Sequence, residues 1–288
     1  MHISGHTTPY AVLGHPIGHT LSPIMHNRSI QSLGLDAIYL AFDVAPDYLM
    51  SVLKSMRQMG FGGVNLTVPL KEVAFRGVDE HARSAELARS VNTIEFLADG
   101  RIKGHSTDGD GFVAALKESF GLSLQGLSVF VLGCGGAGRA VAITCAVEGA
   151  AQITVSDIEQ SRIDAVMDEI RRLAPAVEVR SAGTAAAGWS AASRTASLVI
   201  QATPVGMKTT DVPLLAADAF RAGQMLFDLI YMFPSTGIMA EAATAGARTA
   251  NGLGMLLHQG ARSFEIWTGQ KPDVEAMRRA LEESVYPT

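Results

Sequence analysis

"VFVLGCGGAGRAVA", residues 129–142, joins an apolar strand, a glycine-rich turn and an uncharged, alanine-rich helix. Gly133, Gly135 and Gly138 stand in G-x-G-x-x-G spacing. The first permits a tight turn, the second lets backbone approach a pyrophosphate, and the third lets helix and strand pack closely. Gly136 and Ala137 complete the loop, and the helix that follows opens with free N–H groups suited to phosphate. The next strand, "AQITVSD", ends in Asp157, 24 positions after Gly133. A carboxylate there can accept hydrogen bonds from a ribose diol. No Lys or Arg lies between Ser156 and Ser161 to meet a 2′-phosphate, and Arg162 is the first base beyond. The stretch therefore predicts a dinucleotide-binding domain with NAD favoured and NADP disfavoured, and the hydride chemistry such a cofactor brings. Cys134 sits at a variable loop position and reads as a small filler.

Working outward, apolar strands alternate with helical patterns through the whole chain, which predicts an α/β protein with parallel sheets and crossovers. After the glycine loop, strands are expected at 152–156, 177–180, 197–202 and 225–229, with the loop's own strand at 128–132. Before it, "YAVL", "AIYLAFDV" and "GVNLTV" read as strands, with helices at about 22–33 and 46–58. "VNTIEFLADGRIKGHS" reads as a hairpin whose Asp99-Gly100 pair suits a type I′ turn. Met50, Leu53, Met56 and Met59 have helical spacing and read as core. Trp189 and Trp267 read as packing. Helices at about 252–268 and 273–284 close the chain and could pack on either half.

Composition narrows the function. The 288 residues give ample length for two domains, and 48% are apolar. Net charge is −5 and the basic residues form no stripe, which argues against a nucleic-acid surface. The two cysteines suggest neither a disulfide framework nor a zinc site, so a cytoplasmic setting is expected. No segment reads as a signal peptide or a membrane span. His15, His19 and His26 fit no common ligand spacing, so no metal is expected. His105 adjoins the Asp108 loop and reads as a surface or packing residue.

Several short segments carry polar groups that a core does not need. "GHPIGHTLSP" (14–23) holds hydroxyls, histidines and prolines in a first strand-to-helix turn. "NLTVPLKE" (65–72) places Asn65, Thr67 and Lys71 just after a strand, "VNTI" supplies Asn92, and "STDGDG" supplies Asp108. Taken singly, a Lys after a strand is usually a solvated charge, and an Asp before Gly is usually a turn or an N-cap.

Together these segments resemble the shikimate dehydrogenase family, including its quinate/shikimate branch. The resemblance extends over nearly the whole chain and includes "ATPVGM", "DLIY" and "NGLGMLLHQG". It implies an N-terminal substrate domain (1–107), a C-terminal Rossmann domain (108–250), a cleft between them, and C-terminal helices (251–288) that return to the substrate domain. It implies Lys71 and Asp108 at the hydroxyl being oxidised, and Thr20 and Ser22 at the substrate carboxylate. Thr67, Asn92, Tyr231 and Gln259 would hold ring hydroxyls. Thr203 and Gly252 would join the glycine loop and Asp157 around the dinucleotide. The implied partner is a small cyclitol carboxylate, and a homodimer is allowed. Alcohol oxidation needs a proton acceptor as well as a hydride acceptor, and an amine oriented by a carboxylate can serve.

The chain departs from the family pattern at four places. Thr20 stands where Ser is usual and adds a methyl near the carboxylate-bearing carbon, which favours shikimate over quinate. Ser106 replaces an Asn. "SDIEQSR" replaces Asn-Arg-Thr after the second Rossmann strand. "YMFPST" replaces Tyr-Asn-Pro and places Met232 and Phe233 near the nicotinamide side. The expected reaction is reversible oxidation of shikimate to 3-dehydroshikimate. The alternatives are the same chemistry on quinate or a related cyclitol acid, and a non-catalytic dinucleotide-binding regulator.

Overall fold

A computed structural model describes residues 3–286 and divides the chain into two compact units, 1–111 with 256–288, and 112–255. Both are α/β. The first holds, in chain order, β1 (Thr8–Gly14), α1 (Ser22–Ser32), β2 (Ala37–Asp43), α2 (Leu49–Gln58), β3 (Gly63–Leu66), α3 (Leu70–Gly77), β4 (Glu80–His81), α4 (Arg83–Ala88), β5 (Thr93–Phe96) and β6 (Ile102–His105). They form one six-stranded sheet in the order β2-β1-β3-β5-β6-β4. β1 runs parallel to β2 and β3, and β5 is antiparallel to both β3 and β6. Continuous burial of Ala11–Leu13 and Val64–Leu66 fits strands covered on both faces.

Local chemistry explains two departures from the sequence reading. The 97–101 hairpin loop has only Gly100 at positive φ, 92°, whereas a type I′ turn needs two such residues. Gly100 N–H bonds to Leu97 O, and Leu97 N–H bonds to Arg101 O, so Ala98-Asp99 form the turn and Gly100 supplies the extra bulge residue. The Asp99 carboxylate accepts from Arg101 N at 3.0 Å, which uses the aspartate without any left-handed backbone. In α2, Leu49, Leu53 and Met56 are buried at helical spacing, but Met59 is 63% exposed. The helix ends at Gln58 and Gly60 turns the chain at φ 81°, so helical periodicity no longer applies to Met59.

The second unit begins within α5 (Asp108–Phe120) and holds β7 (Ser128–Leu132), α6 (Gly136–Val147), β8 (Gln152–Ser156), α7 (Gln160–Leu173), β9 (Glu178–Ser181), α8 (Ala186–Thr195), β10 (Leu198–Gln201), β11 (Met225–Asp228), α9 (Gly237–Thr244) and β12 (Arg248–Asn251). All six strands are parallel, in the order β12-β11-β10-β7-β8-β9. This is the doubly wound dinucleotide-binding order, with the direction of winding reversing between β7 and β10. Along β7 the side chains alternate between two cores. Val129 and Val131 pack in one with Val141, Ile153 and Phe227, while Phe130 and Leu132 pack in the other with Trp189, Val199 and Ile238. Each such side chain contributes ~1.5–3 kcal/mol by leaving water.

The chain closes with α10 (Leu253–Thr268) and α11 (Val274–Val285). The division between units falls inside α5 and α10, after residues 111 and 255, a few residues beyond the 107/108 and 250/251 boundaries of the sequence reading. The Asp273 carboxylate caps α11 by accepting from Ala276 N at 2.9 Å, and Asp273 N–H donates to Ser29 of α1. β12 and β4 escaped sequence reading because one is the polar edge segment "RTAN" and the other is two residues long.

Candidate functional site

In the first unit, the C-terminal ends of adjacent parallel strands bring the polar segments together. β1 leads into the 14–23 turn, and β3 leads into "TVPLKE". Gly14 is required there because a Cβ would lie 2.5 Å from Thr67 Cγ2 and 2.8 Å from Ile17 Cδ1. Lys71 lies in the first turn of α3, and Asp108 begins α5, where the helix N-terminus favours its charge.

Lys71 Nζ donates to Asp108 Oδ2 at 2.6 Å. The pair is largely but not wholly shielded, with side-chain exposures of 27% and 16%. The other carboxylate oxygen, Oδ1, accepts from Asn92 Nδ2 at 3.0 Å. Gln259 Oε1, from α10, also accepts from Asn92 Nδ2, at 3.3 Å, and Gln259 Nε2 donates to Leu256 O. Four residues named from sequence, Lys71, Asp108, Asn92 and Gln259, are thus joined by direct hydrogen bonds. The arrangement can hold a proton on the amine beside a carboxylate whose remaining lone pairs are already oriented.

Thr20 and Ser22 occupy the first turn. Thr20 Oγ1 accepts from Ser22 N at 3.3 Å, and Ser22 is buried. Thr67 is half-buried against Gly14. Ser106 is buried, and its N–H donates to Ser84 Oγ at 3.2 Å. His105 Nε2 pairs with Glu95 Oε2 at 2.8 Å, away from the Lys71–Asp108 contact.

Behind the pair lies a buried polar cluster whose members carried no assigned role in the sequence reading: Tyr39, Asn65, Thr93 and Ser263. An Asn inside the otherwise apolar strand "GVNL" is the one sequence signal that pointed to it. His26 and Asn27 serve Tyr39. The His26 ring stacks on the Tyr39 ring at 4.2 Å and 8°, and the Asn27 side chain exchanges two 2.8 Å bonds with the Tyr39 backbone. Burial lowers the His26 pKa to about 3, and neither ring nitrogen has a hydrogen-bond partner. His26 is therefore a neutral packing group.

In the second unit the glycine loop adopts the expected conformation. Gly133 has φ 105°, and a Cβ there would meet the Ala202 backbone at 2.8 Å, which sets the loops after β7 and β10 side by side. A Cβ on Gly138 would lie 1.8 Å from Gly133 O, while Gly135 and Gly136 face open space. Gly136 and Ala137 are exposed, and Gly135, at the N-cap of α6, supplies no side-chain cap. The uncapped N–H groups and the bare glycines fit a pyrophosphate. The Cys134 thiol is pushed up to about 12 by burial and then by the Asp157 charge, which leaves it inert. Thr203 follows β10, its N–H donating to Gln201 Oε1 at 2.9 Å and its hydroxyl accepting from Val205 N. Gly252 has a packing reason, since a Cβ would lie 2.2 Å from Leu229 O. Tyr231 follows β11, and burial raises its pKa. Asp228, fully buried at the end of β11, accepts from Thr236 Oγ1 at 2.6 Å and Ile230 N at 3.0 Å, and burial raises its pKa to about 6.

Residues 12–94 match the family model of the shikimate dehydrogenase substrate binding domain, and residues 252–282 match that of the shikimate 5′-dehydrogenase C-terminal domain. A shikimate dehydrogenase (NADP(+)) from Methanopyrus kandleri is 39% identical over 97% of this chain and 96% of its own. Shikimate 5-dehydrogenase from Listeria monocytogenes, solved with shikimate and NAD, superposes with TM-score 0.91 at 32% identity over 98% of each chain. Shikimate 5-dehydrogenase from Thermus thermophilus, solved with NADP(H) and shikimate, gives TM-score 0.83 at 36% identity, covering 96% of this chain and 99% of its own.

These relatives overturn the expected preference for NAD, because further relatives at 36–39% identity also bear the name shikimate dehydrogenase (NADP(+)). The geometry explains the error. Asp157 is only 7% exposed and is turned onto backbone N–H groups of the glycine loop and of its own loop. Its Oδ2 accepts from Cys134 N at 2.7 Å, and its Oδ1 accepts from Glu159 N at 3.0 Å. Arg162, just past the window searched for a cation, reaches back over one helical turn to within 3.9 Å of Asp157 Oδ1 and is half exposed. No helix among the described residues is long and apolar enough to cross a membrane.

Proposed function

The chain belongs to the shikimate dehydrogenase family, and from that premise we propose that it catalyses the reversible oxidation of shikimate to 3-dehydroshikimate with a nicotinamide dinucleotide. The observation that carries this reading is the 2.6 Å contact between Lys71 Nζ and Asp108 Oδ2, with Asn92 and Gln259 bonded around it. Gly133, Gly135, Gly136, Ala137 and Gly138 would hold the dinucleotide pyrophosphate, and Thr203 lies beside that loop. The bound nicotinamide supplies the hydride acceptor or donor. The relatives' names point to NADP(H), and Arg162, in the first turn of α7 and ion-paired with Glu159 at 2.8 Å, is the first cation after β8 that could turn to its 2′-phosphate.

Within the site, Lys71 Nζ takes the proton of the reacting hydroxyl in oxidation and returns it in reduction. Asp108 accepts from Lys71 and holds the amine in place, and its second oxygen is kept from rotating by Asn92. Asn92, Gln259 and Thr67 then supply partners for the ring hydroxyls. A polyol needs such a set, because each buried donor or acceptor left unpaired costs ~1–3 kcal/mol. Thr20 and Ser22 supply hydroxyl donors for the carboxylate, and Tyr231 is a further hydroxyl contact carried over from the family pattern. The test is a matrix of kcat/KM for shikimate and quinate with NADP and NAD. Turnover of shikimate, lost in Lys71→Ala while dinucleotide affinity persists, supports the reading. Turnover of Lys71→Ala within a few fold of the unmodified protein would remove Lys71 from the proton step. A preference for quinate would move the assignment to the quinate branch.

A further inference from the structure

Most hydrogen bonds in the buried cluster behind Asp108 have directions fixed by a partner that can only donate or only accept. The Asn92 carbonyl can only accept, and it lies 3.0 Å from Asn65 Nδ2, so the Asn65 amide nitrogen faces β5 and its Oδ1 faces Tyr39. Tyr39 Oη must then donate to Asn65 Oδ1, at 2.7 Å. At the other end, Thr107 N–H can only donate, and it lies 2.9 Å from Asn92 Oδ1. That fixes Asn92 Nδ2 toward the Asp108 carboxylate. Thr93 joins the two amides: its Oγ1 accepts from Asn65 Nδ2 at 3.1 Å and donates to Asn92 Oδ1 at 3.0 Å. Ser263 Oγ accepts from Asn65 Nδ2 at 2.9 Å and lies 2.7 Å from Thr93 Oγ1 and 3.0 Å from Gln259 O; with the Thr93 proton on Asn92 Oδ1, the close Thr93–Ser263 contact takes the Ser263 proton.

We propose that Tyr39, Asn65 and Thr93 are positioning residues for the Lys71–Asp108 pair, linked as a one-way chain of donors that turns the Asn92 amide nitrogen onto the Asp108 carboxylate. An amide can present either end. A flipped Asn92 would set its oxygen against Asp108 Oδ1, acceptor against acceptor, and free the carboxylate to rotate away from Lys71. Thr107 N–H, the Thr107 hydroxyl at 3.3 Å and the Thr93 hydroxyl hold the correct end in place. The Thr93 proton is sent forward because Asn65 Nδ2 and Ser263 Oγ occupy its two lone pairs, and Tyr39 in turn fixes Asn65. Tyr39 is locked by the His26 stack and the Asn27 backbone clamp, which gives the chain an immobile origin. The cluster is almost dry, with Asn65, Asn92, Thr93 and Ser263 each no more than 5% exposed, so no bulk water competes for these bonds. Among the described residues, Lys71 is the one charged group in contact with the Asp108 carboxylate. Asp110 pairs with Arg262, Arg262 also with Glu265, and His105 with Glu95.

The inference rests on Lys71 and Asp108 being the reacting pair, and the experiment separates the two claims. Thr93→Val keeps the side-chain shape and removes the hydroxyl. A carboxylate whose donor is loosened holds its proton more tightly, so the acid limb of kcat/KM moves to higher pH. The expected result is a fall in kcat of about five- to tenfold, the size of one hydrogen bond, with KM for shikimate changed by about twofold or less. Thr93→Ser restores both the limb and kcat. Ile94→Val, the next residue in β5 and fully buried, controls for destabilisation: it lowers the melting temperature without moving the limb. Should Thr93→Val fail to fold, Tyr39→Phe removes a single hydroxyl from the same chain and moves the limb in the same direction. A folded Thr93→Val with an unmoved limb and kcat overturns the chain even where Lys71→Ala is inactive. An active Lys71→Ala overturns the pair itself.

Discussion

Acidification should destabilise the first unit through His26 alone by a measurable amount. Its ring is fully buried against Tyr39, Phe264 and Trp267, and burial lowers its pKa from 6.5 to about 3. The sign follows from proton binding. Below pH 6.5 the unfolded chain takes up a proton at His26 that the folded unit refuses, so the unfolded state gains. The contribution is complete above pH 6.5 and drains away as pH falls toward 3. One pH unit is worth about 1.4 kcal/mol, so the loss is ~2 kcal/mol by pH 5 and approaches ~5 kcal/mol at the acid end. His26→Phe keeps an aromatic ring on Tyr39 and cannot titrate. It also removes a ring N–H with no partner, so it should cost little at pH 7.5 despite its slightly larger ring. The assay is urea unfolding at several pH values between 7.5 and 5, followed by Trp267 fluorescence in a Trp189→Phe background, so that the signal comes from the unit containing His26. Other titrating groups are common to both proteins and cancel in the difference. The unfolding free energies of the parent protein and its His26→Phe variant should diverge by ~2 kcal/mol between pH 7 and pH 5. Parallel curves would refute the buried, neutral histidine.

Asp228 should act in the opposite direction in the second unit. Its folded pKa is raised from 3.8 to about 6, so stability is greatest at low pH and falls as pH rises through that window, by an amount of order ~3 kcal/mol; Asp228→Asn should flatten the curve when unfolding is followed by Trp189 fluorescence. Thr20→Val should raise KM for shikimate about fivefold while kcat changes little, because a carboxylate contact remote from the reacting carbon supplies uniform binding, and Thr20→Ser should keep the KM. Steady-state kinetics on both variants check this, and an unchanged KM in the valine variant would detach Thr20 from the carboxylate. Gly138→Ala places a Cβ 1.8 Å from the Gly133 carbonyl, a backbone atom that cannot move cheaply. It should lose dinucleotide binding by fluorescence titration and lower the melting temperature of the second unit, with a cost of ~3 kcal/mol or more.

The second unit was the more legible half. Its strands are short apolar runs flanked by helical patterns, and a parallel sheet buried on both faces leaves that signature undiluted. The glycine loop then fixed which strand is central. The missed strand β12 is polar because it is an edge, where burial is incomplete and composition carries little signal. The hairpin of the first unit was placed correctly, but its turn type was not. Asp99-Gly100 is compatible with two loop geometries, and the choice between them rests on hydrogen bonds from Leu97 and Arg101 that no dipeptide reveals.

Site residues divide along a different line. Lys71 and Asp108 were legible because ionisable groups next to glycines and strand ends attract a chemical reading, and the family pattern supplied the rest. Asp157 misled for the same reason: a carboxylate in the right register was read as facing a ligand, when one of its oxygens serves the glycine loop and the other its own loop. Tyr39, Asn65 and Thr93 are the converse. Tyr39 and Thr93 are ordinary strand residues by propensity and only Asn65 stands out, so what distinguishes the three is a set of partners spread from residue 26 to residue 263. Buried amides and hydroxyls are informative only as networks, because the burial of one is tolerable only when the others satisfy it. The orientation of Asn92, on which the geometry of the Lys71–Asp108 pair depends, is thus encoded mostly by residues that never meet the substrate. A sequence comparison that weighs only contact residues would pass over them.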